Sequence, residues 1–139
     1  MSSHVTRIDH VGLAVPDLEA AKAFYLAAFG LEVVHEEVNE EQGVREAMIA
    51  VGDSFIQLLA PLNEQSTIAK FIGKSGPGIQ QVAFGVDDVQ ATAQALRAAG
   101  VRVLYDEPKR GTAGSLVNFA HPKDCGGVLI ELVQSDQEH

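Results

Sequence analysis

Cysteine, positive charge and long apolar runs are all scarce in this chain of 139 residues. Its single cysteine, Cys125, cannot form an internal disulfide, which is typical of a protein kept in a reducing compartment. No stretch reaches the roughly 18 apolar residues of a membrane-spanning helix, and the first residues contain no apolar signal segment. We therefore expect a cytoplasmic protein that does not associate with membranes.

The scarcity of basic residues also limits the choice of partners. Lysine and arginine number 10 against 19 aspartates and glutamates, which gives a formal net charge of −9, and no basic stripe interrupts this pattern. Such a surface repels nucleic acid and anionic lipid. The hydrophobic content of 46% and charged content of 21% are those of a globular protein, so disorder is excluded. The sequence predicts one globular domain over residues 1–139 with no nucleic-acid partner.

An internal repeat predicts the architecture of that domain. Residues 8–20 and 79–91 align with five identical positions of 13. Each copy shows a β-branched strand pattern, an aspartate, a helical pattern, a glycine and further strand patterns. The later strands are predicted at about 31–38, 44–51 and 54–60 in the first copy and at about 101–105, 115–120 and 127–133 in the second. We therefore predict an α+β fold of two tandem βαβββ modules, at about 6–72 and 79–134.

The helix ends carry their own sequence signals. Asp17 and Asp88 precede the helical patterns and are predicted to cap their N-termini. Gly30 and Gly100 follow the same patterns, where a left-handed residue ends a helix. The glycine-rich stretch 73–78 is predicted to be a joint between the modules.

Four polar residues occupy equivalent positions in the two modules. By strand parity His10 and Gln81 lie on a face that otherwise carries small residues, whereas Gln57 and Glu131 interrupt apolar last strands. If the modules pack about a pseudo-twofold axis, these four side chains converge. One imidazole, one carboxylate and two amide oxygens suit Co²⁺, Mn²⁺, Ni²⁺ or Zn²⁺. We predict that they bind such an ion and leave coordination positions for an oxygen-rich substrate.

Other interpretations of the single residues stay open. A lone strand histidine is more often a hydrogen-bonded core residue than a ligand, and glutamine is common in edge strands. Glu131 is the strongest of the four, because a carboxylate among apolar neighbours requires a partner. His35, among glutamates, and His121, before a proline, are predicted to lie on the surface or in loops.

Glu46 is a candidate general base. It alternates with Met48 and Ala50 on a predicted strand, while Arg45 points to the other side, so one of the two charged residues faces inward or lies near the strand's end. Glu46 is then either a solvated edge charge or a carboxylate that faces the metal site. A carboxylate beside a bound cation can remove a proton next to a carbonyl while the ion stabilises the enolate oxygen.

Several segments together resemble the methylmalonyl-CoA epimerases, a family of the vicinal oxygen chelate superfamily. The similarity covers about residues 6–134, nearly the whole chain. The segments that carry it are 8–11, 39–48, 100–111, 118–124 and 129–132. The 39–44 run Asn-Glu-Glu-Gln-Gly-Val and the block from Pro-Lys-Arg-Gly to His-Pro-Lys-Asp are the most specific, whereas single His and Glu positions on strands indicate only the superfamily.

The resemblance implies an enzyme that interconverts (2R)- and (2S)-methylmalonyl-CoA through an enolate. It implies Glu46 as catalytic acid/base, His10, Gln57 and Glu131 as metal ligands, and Glu131 as the second acid that epimerisation requires. The implied cofactor is a divalent metal, Co²⁺ first, and the implied partners are an acyl-CoA and a second copy of the chain in a homodimer. Familiar members have histidine where this sequence has Gln81, and an amide oxygen is a weaker ligand than imidazole.

Coenzyme A is polyanionic, so a chain with a net charge of −9 needs local cations to bind it. Lys109, Arg110 and Lys123 are the candidates for its phosphates, and the alternative is that all three are solvated loop charges.

Three further functions fit the same fold. A glyoxalase-type isomerase is disfavoured because its metal site resembles one with a carboxylate at Gln57. An extradiol dioxygenase needs two histidines and a carboxylate on iron, and His10 is the only histidine among the four positions. A protein that sequesters a ligand without metal is compatible with Gln81, but Glu131 counts against it.

Overall fold

The computed structural model describes residues 4–135. Within that range the strands are β1 (Val5–Ala14), β2 (Val33–Asn39), β3 (Val44–Val51), β4 (Ser54–Pro61), β5 (Gly78–Val86), β6 (Lys109–Arg110), β7 (Leu116–Ala120) and β8 (Leu129–Gln134). The α-helices are α1 (Leu18–Phe29), α2 (Thr67–Ser75) and α3 (Val89–Ala98), and short 3₁₀ turns occur at Thr112–Gly114 and Pro122–Asp124. No helix of this part of the chain is long and apolar enough to cross a membrane.

The chain forms two compact units. The first unit runs from His10 to Gln80, and the second unit combines the residues up to Asp9 with those from Gln81 onward. In the first unit the strand order is β2-β3-β4-β1, and in the second it is β5-β8-β7-β6. The order β1-α1-β2-β3-β4 is followed along the chain by β5-α3-β6-β7-β8, so the predicted α+β fold of two βαβββ modules is confirmed.

The two faces of the first unit's sheet have different roles. β1 is parallel to β4, and β3 is antiparallel to both β4 and β2. One face packs against α1 through a fully buried cluster that includes Ala47, Ile49 and Leu58. The opposite face is partly covered by α2, whose Ile68 packs on Leu59. Burial of the first face, which removes branched side chains from water, stabilises the unit and orients the second face.

The second unit repeats this pattern. β5 is parallel to β8, and β7 is antiparallel to β8. Leu132 packs with Val86 and Val89 on the side of α3. Ala83, on the other face, packs with Val133. Position by position, Gln57 of β4 corresponds to Glu131 of β8, because their parallel partners are Gly12 and Ala83.

The predicted helix ends are confirmed. The Asp17 side chain accepts a hydrogen bond from Ala20 N at 3.1 Å, and the Asp88 side chain accepts one from Ala91 N at 3.0 Å. Gly30 has φ 69° and Gly100 has φ 89°, the left-handed conformation that glycine adopts without a steric cost.

The strand predicted at 101–105 is wrong. This segment contains only an isolated bridge between Val103 and Ala120, and the partner of β7 is the short strand β6. The reason is Asn118, which is fully buried and whose side chain forms hydrogen bonds with the backbone N–H and C=O of Tyr105. Its Oδ1 accepts from Tyr105 N at 3.1 Å and its Nδ2 donates to Tyr105 O at 3.0 Å, so the ladder cannot continue.

The joint predicted at 73–78 is also partly wrong, because α2 extends to Ser75. Glycine and serine are weak helix formers, but burial of Ile68 and the Ser66 cap on Ala69 N at 3.0 Å outweigh that preference.

Candidate active site

Three predicted site residues lie on one face of the first unit's sheet. His10 is opposite Phe55, and Gln57 is opposite both Gly12 and Met48. Glu46 lies on the same strand as Met48, two positions away, so its side chain points to the same face. His10 is 3% exposed, Glu46 6% and Gln57 4%. Glu46 is therefore the inward member of the Arg45–Glu46 pair, while Arg45 is exposed and contacts Glu19 at 3.5 Å.

A hydrogen bond orients the two polar groups at the centre of this face. Gln57 Nε2 donates to Glu46 Oε1 at 3.3 Å. An ionised carboxylate only accepts hydrogen bonds, so the amide must present its NH₂ to Glu46 and turn its Oε1 to the other side. The contact thus holds the Glu46 carboxylate in position and directs the carbonyl oxygen of Gln57 elsewhere.

The second unit holds the other two predicted residues in a matching pair. Gln81 is 7% exposed and Glu131 is 8% exposed. Gln81 Nε2 donates to Glu131 Oε1 at 2.5 Å, a short charge-assisted bond. Both residues share the face that carries Ala83 and Phe119, away from α3. Each unit therefore buries one glutamine against one glutamate.

The donor set limits the kind of metal ion that could bind. Among residues 4–135 no cluster of three or more His, Cys, Asp or Glu side chains is arranged to hold a metal ion. The predicted ligands are one histidine, one glutamate and the amide oxygens of two glutamines: His10, Glu131, Gln57 and Gln81. Because the NH₂ groups of both amides donate to carboxylates, their carbonyl oxygens point away from those carboxylates. His10 and Gln57 belong to the first unit, and Gln81 and Glu131 belong to the second. A donor set of one imidazole, one carboxylate and two amide oxygens is of a kind that binds a divalent ion less tightly than imidazoles and carboxylates do.

The three predicted phosphate-binding cations lie in different surroundings. Lys109 and Arg110 are both exposed on β6, where Lys109 Nζ lies 4.8 Å from the centre of the Tyr105 ring. Arg110 Nη1 donates to Gly114 O at 3.1 Å. Lys123 lies in the exposed 3₁₀ turn and donates its backbone N–H to His121 Nδ1 at 3.1 Å. The side chains of Lys109 and Arg110 thus each contact another residue, with Tyr105 as the partner of Lys109 and Gly114 as that of Arg110.

A strained turn beside β6 was not predicted from the sequence. Ala113 has φ 57°, and among the described residues it is the only one other than glycine with a positive φ. A Cβ on Gly111 would lie 2.6 Å from Val117 Cγ1, so this glycine allows the turn to close against β7. Backbone strain of this kind is concentrated at ligand-binding and catalytic segments. Gly111 and Gly114, which flank Ala113, are the sequence feature that could have indicated this turn.

His35 was predicted to lie on the surface or in a loop, and its contact with Glu37 was not predicted. His35 Nε2 lies 2.6 Å from Glu37 Oε1, and Glu37 is the cross-strand partner of Glu46. The two-residue spacing of His35 and Glu37 within one strand, which places both side chains on the same face, could have indicated this contact. The pairing of Glu37 with Glu46 depends on the register of β2 against β3, which the alternation within one strand does not specify.

Comparisons with known proteins find methylmalonyl-CoA epimerases and, at lower identity, probable lactoylglutathione lyases; that of Vibrio cholerae is 32% identical over 139 residues, which cover 100% of this chain and 96% of that protein. Residues 9–119 match the family model of the Glyoxalase/Bleomycin resistance protein/Dioxygenase superfamily. The ethylmalonyl-CoA/methylmalonyl-CoA epimerase of Cereibacter sphaeroides is 43% identical over 132 residues, which cover 94% of this chain and 98% of that protein. The crystal structure of methylmalonyl-CoA epimerase from Mycobacterium tuberculosis is similar with a TM-score of 0.95 and 53% identity, over 99% of this chain and 93% of that one. A methylmalonyl-CoA epimerase in complex with methylmalonyl-CoA and NH₄⁺ is similar with a TM-score of 0.91 and 54% identity, over 95% and 96% of the two chains.

Proposed function

The chain belongs to the Glyoxalase/Bleomycin resistance protein/Dioxygenase superfamily, and we propose that within it this protein is the methylmalonyl-CoA epimerase of its organism. It interconverts (2R)- and (2S)-methylmalonyl-CoA by moving the proton at C2. The observation that carries the proposal is the buried Glu46, which Gln57 holds on the polar face of the first unit. The identity of 43% to 54% with epimerases over almost the whole chain supports the same substrate.

Glu46 is the base that removes the C2 proton. Its burial keeps bulk water away from the carboxylate, and the Gln57 amide restricts its rotation, so the group is oriented before the substrate arrives. When the C2–H bond breaks, the proton passes to Glu46 and the electron pair moves toward the thioester oxygen. Reprotonation of the planar enolate from the opposite face gives the other epimer.

Glu131 is the candidate for the second acid. It is buried and accepts a short hydrogen bond from Gln81, which holds its carboxylate as Gln57 holds that of Glu46. The same residue is also a proposed metal ligand, and a carboxylate bound to a metal is a poorer proton carrier than one that is not. Metal content and activity therefore have to be measured together in any Glu131 variant.

The proposed cofactor is a divalent metal ion, with Co²⁺ ahead of Mn²⁺, Ni²⁺ and Zn²⁺. His10, Gln57, Gln81 and Glu131 would hold it, and when bound it would stabilise negative charge on the substrate oxygens. The two amide ligands predict modest affinity, so purified protein is expected to lose metal to a chelator readily.

Lys109, Arg110 and Lys123 are proposed to bind the phosphates of coenzyme A. Lys109 is the first of these to test, because its side chain shares the face of Val117 and Phe119, whereas Arg110 contacts Gly114 O. A cytoplasmic location and a homodimer complete the proposal.

The decisive experiment follows the C2 proton of methylmalonyl-CoA in deuterated water by NMR. We expect rapid exchange with the protein as purified, loss of exchange after chelation and recovery when Co²⁺ is added back. A hemithioacetal substrate, run in parallel, tests a glyoxalase-type isomerase, and ethylmalonyl-CoA tests the acyl range. Hemithioacetal turnover without C2 exchange would overturn the proposed function. Exchange that survives chelation would overturn the proposal that the activity requires a metal ion.

A further inference from the structure

Glu46 is buried, yet its proposed role requires it to exchange protons with water. The residue is 6% exposed. After it takes the C2 proton and a second acid protonates the opposite face, Glu46 still holds that proton. The proton has to leave before Glu46 can deprotonate another molecule of the same epimer, so a route to solvent is part of the catalytic cycle. This requirement rests on the proposed function.

The strands on either side of β3 offer Glu46 different neighbours. On the β4 side its register partner is Leu59, and the amide of Gln57 donates to it. An alkyl chain cannot carry a proton, and an amide NH₂ does not accept one. On the β2 side its register partner is Glu37, whose carboxylate does accept protons.

Glu37 is directly opposite Glu46 on the neighbouring antiparallel strand. Directly opposed residues of antiparallel strands have Cβ atoms about 4.5–5.5 Å apart and point to the same face. Two glutamates in this arrangement can pass a proton directly or through one water molecule.

His35 continues the series toward solvent. Its Nε2 lies 2.6 Å from Glu37 Oε1. The side chains of Glu37 and His35 are 33% and 43% exposed, whereas Glu46 is buried. β2 is the end strand in the order β2-β3-β4-β1, so exposure rises from Glu46 toward the edge of the first unit's sheet.

We propose that Glu37 and His35 relay the proton between Glu46 and solvent. The O–H bond on Glu46 breaks as the proton binds the Glu37 carboxylate, and the proton then passes to neutral His35, whose imidazolium releases a proton to water. No electrons are transferred, and the reverse sequence reloads Glu46. In this scheme both residues act through Glu46 and not on the substrate, so they are positioning residues.

Isotope exchange at C2 tests the relay. The metal-loaded full chain is supplied with each pure epimer of methylmalonyl-CoA in deuterated water, and the reaction is stopped at low conversion. Mass spectrometry measures the deuterium in the recovered epimer and in the product. Deuterium enters the recovered epimer only if Glu46 exchanges with solvent before it returns its proton, so the ratio of this label to product formed reports the relay.

The variants separate the relay from a structural role. For the epimer that Glu46 deprotonates, Glu37→Gln is expected to lower the ratio roughly tenfold, within the range of a lost proton carrier, with KM unchanged. Glu37→Asp restores most of the ratio, and His35→Gln lowers it less than Glu37→Gln. The matched control is Glu36→Gln, because Glu36 is the adjacent residue on the opposite face, paired with Lys22 at 2.8 Å, and its ratio should equal that of the wild type.

Each contrary outcome has a separate meaning. If the wild type exchanges label and Glu37→Gln gives the same ratio, the relay is wrong while the epimerase remains. The relay is equally wrong if the wild type epimerises without labelling the recovered epimer, or if exchange and epimerisation fall in parallel in Glu37→Gln. Absence of any epimerisation by the wild type overturns the proposed function itself.

Discussion

Replacement of Glu46 by glutamine separates the base from the rest of the candidate site. The variant keeps the shape of the side chain, and Gln57 Nε2 can still donate to the new carbonyl oxygen as it does to Glu46 Oε1 at 3.3 Å. The group that accepts the C2 proton is lost. General base catalysis contributes about 10²- to 10⁴-fold, so kcat/KM should fall by that factor, about 2.7 to 5.4 kcal/mol in the activation free energy.

The fold and the metal should be nearly unaffected by that change. Replacing a hydrogen bond to a charged acceptor with one to a neutral acceptor alters the free energy of unfolding by about 1 kcal/mol, which urea denaturation can measure. Metal content should stay close to that of the wild type, because Glu46 is not among the proposed ligands.

The assay is exchange of the C2 proton of methylmalonyl-CoA in deuterated water, with the metal content of every sample measured alongside. Glu41→Gln is the matched control, since Glu41 is exposed in the turn that precedes β3, and it should exchange like the wild type. A Glu46→Gln protein that is folded, metal-loaded and more than about one-tenth as active as the wild type would refute the assignment of the base.

Three other changes test the site and its support. Glu131→Ala removes a buried carboxylate and the partner of Gln81, so we expect metal content and epimerisation to fall together; turnover by the metal-free variant would show that the ion is not central. Asn118→Ala removes the partner of the Tyr105 backbone N–H, while Tyr105 O keeps the hydrogen bond from Arg97 Nη2 at 2.7 Å, and should lower the free energy of unfolding by about 1–3 kcal/mol in urea denaturation, whereas a loss below about 0.5 kcal/mol would contradict the account of the missing strand. The Arg102 guanidinium and backbone N–H hold the pKa of the Asp124 carboxyl well below its ordinary value, so this pair stabilises the fold at pH above about 4 and loses that effect as the pH falls further. The difference in Tm between the wild type and Asp124→Asn should therefore shrink between pH 7 and pH 2, and a difference independent of pH would be inconsistent with the ion pair.

Much of the candidate site could be predicted because strand parity is a local property. Alternation along β1 placed His10 on the face of Gly12 and Ala14, and alternation along β3 placed Glu46 and Arg45 on opposite faces; the structure buries His10 and Glu46. The resemblance to methylmalonyl-CoA epimerases is confirmed by the relatives and solved structures that match the chain. Strand parity alone could not show whether Arg45 or Glu46 faces inward. It shows that the two side chains lie on opposite faces of the sheet, but not which face is covered by the rest of the protein.

The sequence by itself determined the repeat, the capping residues and the alternation of each strand, since these depend on side chains within a few residues of one another. Only the tertiary structure decided which residues meet across strands. Asn118 ends the ladder at Tyr105 through contacts 13 residues away, and the pairing of β2 with β3 places Glu37 opposite Glu46. Register of this kind depends on long-range pairing, and a slip of one residue turns every side chain to the other face, so a local pattern cannot specify it.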